Sequence, residues 1–352
     1  MGSQLEGKAA LQPPLNGLRV VEFEGIGPGP VSGRILAAMG AEVTLIARPT
    51  PGAVQGLGGD PQRSPLRARK QVVVLDLKKP EDLACALNLV AGADALIEGN
   101  RPGVMERLGL GPDVCAARNP RLVYGRMTGW GQTGPLAQAA GHDLNYVALT
   151  GLLSLSAQPG QVPMIPPTVV GDAGGALGLA FGIVCAVFEA RTSGKGRVVD
   201  AAIVDVVSML GTLAHWLHGN NAIGGTQPSV FHDSPFYDVY ECADGRFVTI
   251  GALEPQFYAL LLERLGMNDV DPREQMNKAA WPALKQLFAA LFRSRTREEW
   301  SALLEGTDVC FAPVLTIAEA AAHPHNVARN LFPRTPSGGV DTQVAPRFDS
   351  LG

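Results

Sequence analysis

The β-branched run Leu18-Arg19-Val20-Val21-Glu22-Phe23, followed by Gly25-Ile26-Gly27-Pro28-Gly29-Pro30, decides the fold of this chain. A short strand that ends in glycines and leads into a helix, here at 31–39, is the opening unit of an alternating β/α domain. The pattern then repeats, with further strands predicted at Glu42–Ile46, Val72–Leu75, Ala95–Ile97 and Leu122–Tyr124 and helices at 80–90 and 103–108. Such alternation predicts a parallel sheet with helices on its faces, a Rossmann-like half.

The second half of the chain has a different pattern. The segment Ala173–Ala190 is hydrophobic nearly all round and predicts a buried helix. A hairpin is predicted at 237–250, and helices follow at 256–265, 281–292 and 296–304. We therefore predict an α/β protein with a large Rossmann-like domain at 1–219, a linker at 220–235, a small α+β domain at 236–313, and a C-terminal segment at 314–352 that returns to the large domain.

Composition excludes several classes of protein. Of the 352 residues, 46% are hydrophobic and 18% are charged, with a net charge of -4, which indicates a soluble globular protein and argues against general nucleic-acid binding. The five cysteines are widely spaced and form no CxxC pair, which argues against a disulfide framework or a structural zinc site. Residues 1–14 lack the apolar segment of a signal peptide, and the apolar run 176–187 is too short and too rich in glycine for a membrane span. We expect a cytoplasmic protein.

The glycine-rich segment 25–30 lies where dinucleotide-binding enzymes hold a pyrophosphate, although Pro30 occupies the place of the third glycine of GxGxxG. The second predicted strand leads to Arg48, where an acidic residue would contact a ribose hydroxyl. An arginine at this place suits a ribose phosphate, and NADP and coenzyme A both carry one. A tight turn that only packs the helix on the strand explains the glycines equally well.

Further arginines lie near the ends of predicted elements, at Arg101, Arg107 and Arg121. Basic side chains at one edge of an α/β sheet can clamp phosphates. Most surface arginines are solvated or form weak ion pairs, which is the ordinary expectation for any one of them. We favour Arg48 and Arg107 as phosphate contacts.

Two segments, Gly141-His142-Asp143 and Gly171-Asp172, offer a histidine and a carboxylate among glycines. His142 follows the glycine-rich loop 127–135, which can bring the backbone close to a ligand. Asp172 opens the apolar helix and is explained either as an N-cap residue or as a catalytic base. Backbone N–H groups at that helix start can receive an anionic oxygen. Two bases and an oxyanion site suffice to move a proton on and off a carbon next to a carbonyl.

Glu254, between the hairpin and the helix at 256–265, is a third candidate. It is explained either as a helix-start carboxylate or as the partner that orients a histidine across a domain or subunit boundary. His215 and His218 share a predicted helix, but no third ligand lies nearby in the sequence, so packing is a better explanation for them than metal binding. We predict no metal site.

In their order along the chain, these motifs resemble the family III CoA-transferases (the CaiB/BaiF group) and, within that superfamily, the α-methylacyl-CoA racemases. The resemblance runs from about Leu18 to about Phe332. It is carried by Gly25-Ile26-Gly27-Pro28-Gly29-Pro30, Arg101-Pro102-Gly103, Glu106-Arg107-Leu108-Gly109-Leu110-Gly111, Met127-Thr128-Gly129-Trp130-Gly131-Gln132-Thr133-Gly134-Pro135, Gly141-His142-Asp143, Gly171-Asp172, Gly194-Lys195-Gly196, Val199-Asp200, Tyr240-Glu241-Cys242-Ala243-Asp244-Gly245 and Gly251-Ala252-Leu253-Glu254-Pro255-Gln256-Phe257-Tyr258.

The resemblance implies an interlocked homodimer with an active site between the large domain of one chain and the small domain of the other. His142 and Asp172 match the two bases of the racemases, and Glu254 matches the acidic partner of the histidine. The positions that contact coenzyme A are matched by Arg48, Arg101 and Arg107, and those that support the catalytic side chains by Asp143 and Tyr237. The substrate is then an acyl-CoA, and no cofactor is needed beyond the coenzyme A that the substrate carries.

Two reactions are known on this fold, and the resemblance leaves both open. The racemases invert C2 of 2-methyl-branched acyl-CoA thioesters by 1,1-proton transfer through an enolate. The transferases move coenzyme A between carboxylates, with the aspartate at the position of Asp172 as nucleophile. His142 together with Glu254 favours the racemase, whereas Gly224-Gly225-Thr226-Gln227-Pro228 is similar to a transferase loop.

Overall fold

The computed structural model describes residues 12–50, 64–157, 160–225, 227–335 and 339–349. These residues form two compact units. The first contains 12–50, 64–157, 162–211 and 343–349, and the second contains 160–161, 212–225, 227–335 and 339–342.

The first unit is built on a six-stranded parallel sheet, and its strand order is β3-β2-β1-β4-β5-β6. The strands are β1 (Arg19–Phe23), β2 (Glu42–Ala47), β3 (Lys70–Val74), β4 (Ala95–Glu98), β5 (Val123–Thr128) and β6 (Val198–Ala202). The helices are α1 (Pro28–Ala38), α2 (Pro80–Ala91), α3 (Val104–Arg107), α4 (Pro112–Arg118), α5 (Asp143–Leu149), α6 (Asp172–Ser193) and α7 (Ile203–Leu210), with 3-10 turns at Pro65–Arg67 and Leu152–Ser156. The predicted Rossmann-like α/β fold is confirmed.

Helices cover both faces of this sheet, as the parallel arrangement requires. On one face α1 and α6 pack around Val20, Ile97 and Leu179, and on the other α2 and α4 pack around Val21, Leu96 and Val90. Prolines occupy the first helical position of α1, α2 and α4, where the missing N–H costs no hydrogen bond.

A buried ion pair fixes α1 to the sheet. Lys70 Nζ lies 2.8 and 2.6 Å from the two carboxylate oxygens of Glu22 and 2.9 Å from the carbonyl oxygen of Pro30. Burial raises the pKa of Glu22 to about 7 and lowers the pKa of Lys70, each against the opposing charge of its partner. A Cβ at Gly33 would lie 1.7 Å from Glu22 Oε2, so α1 can approach the pair only through a glycine.

The long helix α6 differs from its sequence prediction. One face packs on the sheet through Leu179 and Ile183, but Phe181 and Phe188 on the other face are 67% and 76% exposed. The helix is therefore only half buried in this chain, and the prediction of a fully buried helix is wrong. Within the described residues, α6 alone is long and apolar enough to cross a membrane by length and composition, and half of its most apolar stretch is buried.

The second unit contains a three-stranded antiparallel sheet, and its strands pair in the order β7-β8-β9. Its strands are β7 (Tyr237–Glu241), β8 (Phe247–Gly251) and β9 (Phe311–Pro313). Its helices are α8 (Thr212–Gly219), α9 (Pro255–Leu265), α10 (Trp281–Phe292), α11 (Arg297–Leu304), α12 (Ile317–Ala322) and α13 (Pro324–Ala328), with a 3-10 turn at Pro272–Glu274. Its core is aromatic, with Tyr240 stacked on Phe292 at 5.0 Å between ring centroids.

The division into units differs from the predicted domain bounds at two places. The second unit already begins at Thr212 instead of after a linker, and it contains the described residues 314–335 and 339–342. An ion pair accounts for the latter, because Arg297 of α11 donates to the carbonyl oxygen of Val314 at 2.6 Å and to Glu319 of α12 at 2.5 Å. Of the described residues in the predicted C-terminal segment, only 343–349 lie in the first unit.

Candidate active site

The candidate residues of the first unit lie after the carboxyl ends of β2, β4 and β5, and at the start of α6. In a parallel sheet these carboxyl ends share one edge, which is where α/β proteins place their ligands.

Asp143 connects the two candidate bases. It follows His142 directly, it is 7% exposed, and its Oδ2 atom accepts the backbone N–H of Asp172 at 2.7 Å. A Cβ at Gly171 would lie 2.5 Å from the same Oδ2 atom, so this approach requires the glycine. The Asp143 carboxylate thus caps α6 from outside the helix and holds Asp172 in place.

Asp172 is the first residue of α6, and its N-cap is Gly171. The interpretation of Asp172 as an N-cap residue is therefore wrong, because Asp143 provides the capping carboxylate. Burial raises the pKa of the Asp172 carboxyl, the charge of Asp143 raises it further, and His142 opposes both. A Cβ at Gly27 would lie 2.9 Å from Asp172 Oδ2, so this carboxylate lies against the glycine-rich start of α1.

His142 is the N-cap residue of α5 and is exposed. Its backbone N–H donates to Asn145 Oδ1 at 3.0 Å, which fixes the main chain at this position. Since the charge of His142 acts on Asp172, the structure brings the histidine and the carboxylate into electrostatic range of each other.

The start of α6 offers fewer free donors than the sequence suggests. The N–H of Asp172 is taken by Asp143, and the N–H of Ala173 donates to the carbonyl oxygen of Thr168 at 3.0 Å. These two groups therefore cannot receive an anionic oxygen of a ligand, contrary to our expectation from the sequence.

Tyr146 is a site residue to which the sequence pattern assigned no role. Its hydroxyl group donates a short hydrogen bond to the carbonyl oxygen of Gly141, and its ring lies edge-on to Trp130 at 4.7 Å between centroids. Burial raises the pKa of its phenol, the Asp172 charge raises it further, and Arg101 lowers it. The signal in the sequence was the spacing, because Tyr146 follows His142 by one helical turn.

The three predicted coenzyme A arginines are exposed and lie on two loops. Arg48 follows β2, and its backbone N–H donates to Glu24 Oε2 at 2.9 Å. Arg101 precedes α3, and Arg107 ends it with its guanidinium folded over Gly103, where a Cβ would lie 3.0 Å from Nη1. Their contact with coenzyme A stays a prediction.

A partly buried ionic cluster holds the loop of Arg101 and Arg107. Arg126 of β5 donates from Nε to Glu98 Oε1 at 2.9 Å and from Nη1 to Glu106 Oε1 at 2.8 Å. Because Glu98 ends β4 and Glu106 lies in α3, the guanidinium ties the sheet to the helix that carries Arg107.

The remaining candidates, Glu254 and Tyr237, lie in the second unit. Glu254 is the exposed N-cap residue of α9 and its side chain makes no capping hydrogen bond, although the helix dipole still favours a carboxylate at this position. Its charge helps raise the pKa of the Cys310 thiol. Tyr237 begins β7 and meets Phe231 edge-on at 5.3 Å between ring centroids.

Within the described ranges, no three histidine, cysteine, aspartate or glutamate side chains come together as a metal site. At this site, Asp172 has a raised pKa and lies within electrostatic range of His142.

Comparisons with known proteins identify relatives along nearly the whole chain. A sequence profile of CoA-transferase family III matches residues 15–350. The human alpha-methylacyl-CoA racemase is 39% identical over 342 residues, which cover 94% of this chain and 86% of that protein. The acetyl-CoA:oxalate CoA-transferase of Acetobacter aceti is 32% identical over 352 residues, which cover 93% of this chain and 87% of that protein.

The solved structures agree with these sequence matches. The crystal structure of a CaiB/BaiF family protein from Brucella suis superimposes with a TM-score of 0.81 at 25% identity, covering 96% of this chain and 93% of that one.

Proposed function

The chain belongs to CoA-transferase family III, and from this premise we propose that it is an isomerase that racemises 2-methyl-branched acyl-CoA thioesters at C2. The relatives in support are the human and mouse alpha-methylacyl-CoA racemases, which are 39% and 40% identical to this chain.

One observation carries the proposal: Asp143 links the two candidate bases. His142 and Asp143 are adjacent, and the Asp143 carboxylate holds the Asp172 backbone at 2.7 Å. A two-base reaction needs two proton-transferring groups held at a constant separation, and the hydrogen bond between their segments supports this requirement.

The mechanism follows from the chemistry of the two groups. His142 or Asp172 removes the C2 proton from one face, depending on the bound epimer, and the other group returns a proton to the opposite face. A carboxyl whose pKa is raised by burial is better matched to proton transfer near neutral pH than an ordinary aspartate. The enolate oxygen takes its hydrogen bonds from donors other than the N–H groups of Asp172 and Ala173, because both are already bound.

Three arginines are proposed to bind the coenzyme A part of the substrate. The exposed side chains of Arg48, Arg101 and Arg107 suit its phosphates, since guanidinium groups bind phosphate oxygens in pairs. The reaction as proposed needs no metal and no redox cofactor, and its coenzyme A is part of the substrate. A cytoplasmic location is part of the same proposal.

The experiment that tests the proposal is incubation of one epimer of a 2-methylacyl-CoA with the protein in D₂O. We expect deuterium to replace the C2 proton, followed by proton NMR, together with loss of optical purity in chiral analysis. Retention of both the C2 proton and optical purity would contradict the proposal.

A second candidate function is transfer of coenzyme A between carboxylates, with Asp172 as nucleophile. The Asp172 carboxylate can serve either reaction, and the transferase of Acetobacter aceti among the relatives supports this candidate. One incubation with an added carboxylate distinguishes the two reactions, because a transferase passes coenzyme A to that carboxylate and leaves the C2 proton in place.

We further propose that two copies of the chain form the interlocked homodimer, in which Glu254 of one copy approaches His142 of the other. The support is the exposed apolar stripe of α6, formed by Leu177, Phe181, Val184 and Phe188, because stripes of this kind in soluble proteins mark association surfaces.

This dimer predicts a specific effect of charge on α6. We expect Phe181→Asp combined with Phe188→Asp to give monomers in sedimentation velocity, because two carboxylates cannot be buried against an apolar partner. Val114→Asp on α4, which replaces a partly exposed apolar residue elsewhere, is the control and should stay a dimer. A dimeric double variant would contradict the assignment of this surface.

A further inference from the structure

We propose that Tyr146 is a positioning residue: its hydroxyl group fixes the Gly141–His142 peptide and, through it, the imidazole of His142 for proton transfer. This inference rests on the function proposed above and names a residue on which that function depends.

The ring of Tyr146 occupies a space that two glycines leave open. A Cβ at Gly129 would lie 2.0 Å from the ring, and a Cβ at Gly141 would lie 2.7 Å from it. Trp130 closes a third side with its ring at 86° to that of Tyr146. The glycines of this loop therefore admit a tyrosine of the same chain, where the sequence pattern suggested the approach of a ligand.

The hydroxyl group of this enclosed ring has one acceptor in the described chain, the carbonyl oxygen of Gly141. That carbonyl belongs to the peptide group whose nitrogen is the backbone N–H of His142. The same N–H is held by Asn145 Oδ1 at 3.0 Å, so hydrogen bonds from α5 hold the peptide at both its oxygen and its nitrogen. Rotation of this peptide, which would turn the His142 side chain, breaks both bonds.

The surroundings of the hydroxyl group keep it protonated during the reaction. Burial and the charge of Asp172 raise the pKa of the phenol, so it remains a neutral donor whether Asp172 is ionised or not. A neutral donor can hold the Gly141 carbonyl through a cycle in which the neighbouring carboxyl gains and loses a proton.

The test is Tyr146→Phe, which removes the hydroxyl group and keeps the ring. Its matched control is Tyr124→Phe, because Tyr124 likewise donates to a carbonyl oxygen, that of Leu110 at 2.8 Å, in the core of the same unit. A misplaced catalytic group costs up to about 10²-fold in rate, so we expect kcat to fall by about 10–10²-fold in Tyr146→Phe, with KM nearly unchanged. Tyr124→Phe should keep its kcat and lose only stability.

A second readout does not depend on activity. In protein labelled with ¹⁵N-histidine, the His142 signal is identified by its loss in His142→Ala, and its chemical shift is measured by NMR at one fixed pH. We expect the chemical shift of the His142 ring nitrogens to change in Tyr146→Phe and to stay as in the wild type in Tyr124→Phe. An unchanged His142 chemical shift in Tyr146→Phe overturns the proposal, whatever the rate.

The two proposals can fail separately. Absence of C2 exchange in the wild type refutes the racemase, whereas the His142 chemical shift still decides the role of Tyr146. If Tyr146→Phe does not fold, 3-fluorotyrosine at position 146 replaces it, since it keeps the donor but ionises at lower pH. The chemical shift of the His142 signal should then change as that phenol ionises, and the absence of this change overturns the positioning role.

Discussion

His142→Ala is expected to abolish the inversion of either acyl-CoA epimer, together with the C2 exchange in D₂O of the epimer that His142 deprotonates. A positioned general base contributes about 10²–10⁴-fold, and in a two-base reaction the loss of one base stops inversion in both directions. Deuterium exchange of one epimer can persist at a low rate through Asp172, because that carboxyl still faces the carbon. The rate of exchange is measured by NMR and the rate of inversion by chiral analysis, for each epimer separately.

The control for this variant is His325→Ala, which removes an exposed histidine of α13 in the second unit. It should leave both rates as in the wild type. Full inversion by His142→Ala would refute the two-base mechanism. Transfer of coenzyme A that survives in His142→Ala but not in Asp172→Ala would favour the transferase.

Lys70→Met is expected to be strongly destabilising although it lies outside the candidate site. It leaves the Glu22 carboxylate, whose side chain is 1% exposed, without the ammonium group that now lies 2.6 Å away. Removing one partner of a buried ion pair typically costs about 3–5 kcal/mol. The free energy of unfolding, measured by denaturant titration, should fall by this amount near neutral pH.

The loss of unfolding free energy in Lys70→Met should increase with pH. In the wild type the pKa of Glu22 is already raised from 4.5 to about 7, and it rises further without Lys70. A carboxyl whose folded pKa lies above its unfolded value binds a proton more readily in the folded state. The contribution of the Glu22 carboxyl to stability is therefore present below pH 4.5 and is lost as the pH rises. The variant Lys70→Met should for this reason be least destabilised in acid and most destabilised above pH 7.

The control is Arg273→Met, because Arg273 forms an ion pair with Asp271 at 2.7 Å while its side chain is 88% exposed. Exposed pairs contribute about 0–1 kcal/mol, so this variant should change the free energy of unfolding little at any pH. Equal losses in the two variants would show that the Glu22–Lys70 pair does not fix α1.

Much of the fold was predictable because its signals are local. The strands alternate with helices, each strand is a short β-branched run, and prolines or glycines mark the helix starts. The prediction failed for α6, whose uniform apolarity has two causes. One face packs on the sheet within the chain, and the face with Phe181 and Phe188 remains exposed. Composition alone cannot separate these two kinds of apolar surface.

The residue types of the candidate site could be predicted from the sequence, but the contacts that arrange them could not. His142, Asp172 and Glu254 stand out because each is a titratable group at an element boundary beside glycines. The role of Asp143 as the cap of α6 depends on a hydrogen bond between residues 29 positions apart, which no local pattern contains. The same holds for Tyr146, whose space is formed by Gly129 across the loop.

The sequence by itself determined the order of the secondary structure, the parallel sheet, and which side chains can transfer a proton, since these follow from periodicity and residue chemistry over short distances. Only the tertiary structure decided that Asp143 holds Asp172, that the first two N–H groups of α6 are occupied, and that Tyr146 secures the peptide of His142. The physical reason is that hydrogen bonds and steric contacts depend on separations of a few tenths of an ångström between segments far apart in the chain, and those separations exist only once the sheet and its helices have packed.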